Sequence, residues 1–166
     1  CNEAECGICT VLVNGTPIVS CLYPALKSEG TEVLTIEGLA ESWKANVARP
    51  TDRSSSFSLH PLQEAFAKGG APQCGFCIPG LIMTSKALID QQPEPTDHDI
   101  KVALKDTYCR CAGYSFIANA IQTAAHSVRT GEPVPPEPML LPETKTPLKV
   151  IGRPLPRPDV VAKVTG

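Results

Sequence analysis

Cys1-Asn2-Glu3-Ala4-Glu5-Cys6-Gly7-Ile8-Cys9, answered by Cys21 at the far end of a short hairpin, is the stretch around which the chain is arranged. The spacing C-x4-C-x2-C…C is that of a plant-type [2Fe–2S] ligand run, in which four thiolates hold two irons inside a wrapping loop. The other four cysteines pair as C-x2-C (Cys74, Cys77) and C-x-C (Cys109, Cys111), a second four-thiolate set. Two quartets imply two iron–sulfur clusters and an electron relay.

Outward from this loop the chain reads as a ribbon. Thr10-Val11-Leu12-Val13 and Thr16-Pro17-Ile18-Val19 flank Asn14-Gly15. That dipeptide between β-branched runs is a strong hairpin signal, because both turn residues need positive φ. The hairpin returns Cys21 toward the first three ligands. Gly7 allows the backbone to approach a cluster closely. Glu32–Ile36 reads as a further strand, with Leu34 and Ile36 on one face. Gly38 to Ala45 predicts a short helical turn in which Trp43 packs.

Residues 48–58, rich in serine with Pro50 and Asp52, form a polar connector, after which the periodicity becomes helical. Pro61 opens a helix that Gly69-Gly70 stops, with Leu62, Ala65 and Phe66 as its stripe. A second helix begins at Pro79 and ends before Pro93. Thr96 caps a third, with Asp97 and Asp99 in its first turn. The fourth runs from about Ser115 to Arg129, with Ile117, Ile121, Ala124 and Val128 inward and Gly131 as its stop. Short connections imply a four-helix bundle. Both later cysteine pairs lie just before a helix, where free N–H groups and the dipole favour thiolates and an anionic cluster. From Pro133 the Pro-rich stretch predicts an extended linker, uncondensed unless a partner covers it. The last segment, 149–166, is too short to build a core of its own.

Composition narrows the classes. Lys plus Arg (15) nearly balances Asp plus Glu (17), so a net charge of −2 gives no case for nucleic acid or a membrane surface. No apolar run reaches the roughly 18 residues of a spanning helix. The expected compartment is the cytoplasm, with the periplasm left open because the chain begins at Cys1 without an initiator Met. Disulfides are disfavoured by the two tight local blocks. A zinc site typically uses separate C-x2-4-C pairs rather than the C-x4-C-x2-C triple of the first quartet, which favours [2Fe–2S] there. The alternative function is a non-enzymatic adaptor module with structural zinc at one or both sets. The second quartet leaves structural zinc open, since thiolates accept either metal, and a thioredoxin-like pair is a third alternative. His60, His98 and His126 carry structural readings. No nucleophile–base pair, phosphate loop or dinucleotide turn is present, so no catalytic residue is assigned.

These motifs resemble a known family. Cys1…Cys6-Gly7-x-Cys9…Cys21, Leu59-His60-Pro61-Leu62-Gln63, Gln73-Cys74-Gly75-Phe76-Cys77-x-Pro79-Gly80 and Cys109-Arg110-Cys111-Ala112-Gly113-Tyr114 are similar to the iron–sulfur portion of molybdenum hydroxylases, the xanthine oxidase and aldehyde oxidoreductase family. The resemblance implies an α+β chain: a partial β-grasp, ferredoxin-like [2Fe–2S] domain (1–47), the connector (48–58), an all-α four-helix [2Fe–2S] domain (59–131) and a Pro-rich linker (132–148). It implies that Gln73 and the Cys111 backbone touch a molybdopterin, and that electrons leave through the first cluster to FAD on another subunit or to another acceptor. Residues 149–166 look like the opening of the molybdenum-binding domain, expected on the same polypeptide. The reading therefore expects a fragment cut at both ends and lacking the family's N-terminal strands and first helix. One departure concerns the first loop, where Ala4 and Asn2 stand at positions the family usually fills with Gly. If the backbone there takes positive φ, Ala4 carries strain of about 1–2 kcal/mol.

Overall fold

The computed structural model describes residues 1–46, 59–135 and 157–166, and combines helices with one small sheet. The connector at 48–58 and most of the expected linker lie outside the described residues. Strands β1 (Thr10–Val13) and β2 (Thr16–Val19) pair antiparallel, with Val13 opposite Thr16 and Thr10 opposite Val19. Asn14 and Gly15 take φ of 48° and 77°, the left-handed turn that suits the twist of the two strands. On the other edge, β3 (Val33–Leu34) pairs with β1, giving the order β2-β1-β3. Asn14 secures that edge twice: its N–H donates to Glu32 O and its Oδ1 accepts from Glu32 N, each at 2.9 Å.

The third strand is shorter than its alternation suggests. The chain leaves the ladder after Leu34, and the Ile36 carbonyl accepts from Leu39 N and from Gln63 Nε2 instead. The expected faces still hold, with Val33 exposed and Ile36 buried. Helix α1 (Leu39–Asn46) follows; Leu39 is buried and Trp43 packs edge-on against His60, ring centroids 4.8 Å apart.

Four helices then follow: α2 (Pro61–Lys68), α3 (Ile78–Gln91), α4 (Asp97–Ala103, continued by a 3-10 turn, Leu104–Asp106) and α5 (Tyr114–Thr130). Their ends follow local chemistry. Pro61 takes the first helical position behind a capping box in which His60 Nδ1 accepts from Leu62 N and Gln63 Oε1 from His60 N. Thr96 and Asp99 form the box of α4, and Gly131, at φ 78°, closes α5. Helix α2 packs on α5 and α3, α4 packs on α3 and α5, and β1 packs on α3. Leu62, Phe66, Leu81, Ile82, Ile117 and Ile121 are fully buried between them.

Two segments depart from expectation. The stretch after Pro133 does not begin uncondensed: Val134 is buried, and its carbonyl accepts from Lys68 Nζ at 2.8 Å. The chain's last residues form α6 (Val160–Thr165), which docks Val160 and Val164 on α2 and α3. It borrows a core rather than building one. Buried Gln63 ties the junction, its Nε2 donating to Ile36 O (3.3 Å) and Val164 O (3.0 Å). Among the described residues no helix is long and apolar enough to cross a membrane.

Candidate metal centres

The first cysteine loop is turned inward by left-handed residues, Asn2, Ala4 and Gly7, at φ 59°, 56° and 67°. The strain expected at Ala4 is therefore present. Cys1 is exposed, and Cys6, Cys9 and Cys21 are half-buried. Cys6 Sγ lies 3.4 Å from Cys1 Sγ. Cys21 sits in a 3-10 turn (Ser20–Leu22) directly after β2, where Ser20 N donates to Cys9 O. Cys9 and Cys21 meet as a second pair. Burial pushes the Cys9 thiol up, but hydrogen bonds from Cys21 and Ser20 outweigh it and hold the thiol below its ordinary range.

The second quartet gathers at the starts of two helices. Cys77 is the residue before α3, and Cys111 lies three residues before Tyr114 opens α5. Cys77 and Cys109 are buried, Cys111 is half-buried and Cys74 is exposed. Burial, the Cys109 thiol and the charges of Cys109 and Cys74 push Cys77 up to about 12. Cys74 is held down by the Phe76 N–H and by a hydrogen bond with the Cys111 thiol. The contacts therefore pair Cys77 with Cys109 and Cys74 with Cys111.

All eight cysteines are free thiols. Among the described residues, no three His, Cys, Asp or Glu side chains gather tightly enough to hold a single metal ion. The sulfurs come in twos. A binuclear cluster asks for two thiolates on each iron, and four thiolates arranged in two pairs could supply them.

The two cysteine loops are also in contact. Gly7 lies so close to the segment before Cys109 that a Cβ would stand 2.3 Å from Asp106 O and 2.7 Å from Thr107 Oγ1. A Cβ on Gly80, just inside α3, would stand 2.2 Å from Gly7 O. Tyr108 N donates to Cys6 O at 3.1 Å, linking the backbone of one quartet to the neighbour of a cysteine in the other. Behind it, the Tyr114 hydroxyl accepts from Cys109 N at 2.9 Å. Sequence reasoning did not single out Tyr108, and it quoted Gly80 and Tyr114 only as motif residues without assigning them these contacts. For Gly80 a signal existed: a glycine in the first turn of a helix is costly unless something needs the space.

Gln73 is exposed, and its side-chain amide lies against Gly113, where a Cβ would stand 3.2 Å from Nε2. It thus faces the loop that carries Cys111. His60 is a cap, its pKa pushed down to about 3 by burial and by the Lys86 charge. His126 stands 3.2 Å from Glu132 at the exposed end of α5.

Residues 35–122 match the family model described as [2Fe-2S] binding domain. The chain belongs to this family. It is 41% identical over 124 residues to the nicotinate dehydrogenase small FeS subunit of Eubacterium barkeri, covering 75% of this chain and 70% of that one. It is 44% identical over 123 residues to the xanthine dehydrogenase iron-sulfur-binding subunit of Escherichia coli, covering 73% and 69%. Among solved structures, aldehyde oxidoreductase from Desulfovibrio gigas superposes with a TM-score of 0.74 at 31% identity, over 99% of this chain but 17% of that one. This [2Fe-2S] binding domain protein is accordingly an iron–sulfur component of the molybdenum hydroxylases, and so part of an oxidoreductase.

Proposed function

We propose that the chain is a two-cluster electron relay, with Cys74, Cys77, Cys109 and Cys111 holding one [2Fe–2S] cluster and Cys1, Cys6, Cys9 and Cys21 the other. When bound, the clusters carry electrons singly between a molybdopterin centre on the molybdenum-binding domain and an acceptor, FAD on another subunit or a soluble carrier. The observation that carries this reading is the arrangement of the thiols in twos, in two loops that touch.

The chain's own groups have definite tasks in it. Left-handed Gly7 and Gly75 let the Asp106–Thr107 segment and the Lys163 stem close against the two cysteine loops, where a Cβ would stand in the way. The free N–H groups at the starts of α3 and α5 stabilise anionic thiolates. Gln73 and the Cys111 backbone would face the pterin, a role to which their adjacency at Gly113 is suited. In this reading, residues 1–47 and 59–131 are the two cluster-binding units, and 149–166 open the molybdenum domain. The substrate of the whole enzyme, an aldehyde, a purine or another N-heterocycle, is bound by that domain.

The test is spectroscopic. Anaerobically prepared protein should contain iron and acid-labile sulfide in equal amounts, absorb in the visible, bleach with dithionite and give two distinguishable [2Fe–2S] signals by electron paramagnetic resonance (EPR). A colourless protein holding zinc, or one holding a single cluster, would refute the relay.

A further inference from the structure

The second cysteine loop is gripped from outside by the last helix. Lys163, on α6, donates from Nζ to Gln73 O at 2.8 Å, one residue before Cys74. Arg157 reaches the same turn, its Nη1 donating to Pro72 O (2.8 Å) and Gln73 O (3.2 Å). Asp159 joins the two cations, 3.1 Å from Arg157 Nη2 and 2.6 Å from Lys163 Nζ. The fit is close. Gly75 takes φ +95°, and a Cβ there would stand 2.5, 2.7 and 2.9 Å from Lys163 Cγ, Cδ and Cε. The lysine stem therefore lies across the cysteine loop, and its side chain is only 19% exposed.

We propose that Arg157 and Lys163 form a cationic clasp on the Pro72–Gln73 carbonyls, and that Lys163 raises the reduction potential of the cluster held by Cys74, Cys77, Cys109 and Cys111. The inference rests on the two-cluster reading above. Reduction places one more negative charge on a cluster, so a cation held nearby favours the reduced form. A charge mostly withdrawn from water is screened less than one on the open surface. Asp159 offsets one of the two positive charges and leaves the clasp net positive. Lys163 acts through the loop and its field; it is a positioning residue. The clasp also makes the relay sensitive to the seating of α6, since the same helix that docks on α2 and α3 carries the lysine.

The experiment is an EPR-monitored redox titration of the full protein with its partners, comparing wild type, Lys163→Met and Lys163→Arg. Methionine keeps an apolar stem over Gly75 and removes the charge; arginine keeps the charge. The second cluster's signal is assigned as the one that Cys74→Ser alters. In Lys163→Met its midpoint potential should fall while the first cluster's stays in place, and Lys163→Arg should restore it. An unchanged second potential in Lys163→Met, or an equal shift of both clusters, overturns the inference while leaving the relay intact. Wild-type protein without two cluster signals removes the relay itself, and this inference with it.

Discussion

Ala4 holds φ 56° in the first cysteine loop. A left-handed non-glycine residue costs about 1–2 kcal/mol, and glycine returns roughly 0.5–1 kcal/mol of that through its greater freedom when unfolded. Ala4→Gly should therefore stabilise the protein by up to about 1.5 kcal/mol net of those two terms, read as a higher urea midpoint with an unchanged slope. A lower midpoint would mean that the methyl group contributes packing that outweighs the strain. His60 supplies a pH dependence of definite sign. Its folded pKa, about 3, lies below the ordinary histidine value of 6.5, so the unfolded chain binds the proton more readily. Its contribution to stability is complete above pH 6.5 and is lost as the pH falls toward 3, by about 1.4 kcal/mol per unit. Between pH 6.5 and 5 the wild type should lose stability faster than His60→Asn, which retains a capping oxygen and does not titrate. Parallel losses in the two proteins would show that His60 is not held neutral. Ala4 was legible because a motif position calls for glycine there. The cap at His60 was not, since Ser, Thr, Asp and Asn are the preferred caps and the Trp43 ring packed against His60 comes from another helix.

Element boundaries were readable wherever the deciding chemistry is local. Pro61 at a helix start, Thr96 with Asp99, Asn14-Gly15 in the turn and Gly131 at a helix end each act within a few residues, and each stands where its neighbours place it. The length of β3 was not readable, because it ends where Gln63, from a distant helix, takes the Ile36 carbonyl. The first turn of α3 shows the same limit in sharper form. Helix propensity alone favours alanine over glycine by about 0.8–1.0 kcal/mol, so Gly80→Ala should stabilise an isolated α3. In the protein the added Cβ would stand 2.2 Å from Gly7 O and 2.9 Å from Ile8 Cα, both of them backbone, which cannot swing aside. The expected outcome is a loss of about 1–3 kcal/mol, the usual cost of overpacking, with far-UV circular dichroism retained. The damage should fall on the loop of Cys1, Cys6 and Cys9 rather than on α3. Gly80→Ala protein as stable as wild type would show that the two loops are not packed as described.

On the scale of the molecule, the eight cysteines declare two quartets by spacing, but nothing in the spacing brings the quartets to each other. That juncture depends on glycines at 7 and 80, on the Asp106–Thr107 segment, and on a backbone hydrogen bond between Tyr108 N and Cys6 O. In the proposed relay, the route from one quartet to the other would run down the Cys6 side chain to its carbonyl, across the 3.1 Å hydrogen bond to Tyr108 N, and along the backbone to Cys109. Loops this close would keep the two clusters of the proposed relay within range of mutual magnetic interaction. When both clusters are reduced, each carries an unpaired electron, and the EPR lines of one should be split or broadened by the other at low temperature. Partial reduction, which leaves one cluster diamagnetic, should remove the splitting. Gly80→Ala, by prising the first loop from α3, should diminish it without abolishing either signal. Two fully reduced spectra that simply add, with no interaction at any temperature, would mean that the loops part in the loaded protein and that electrons cross between them by another route.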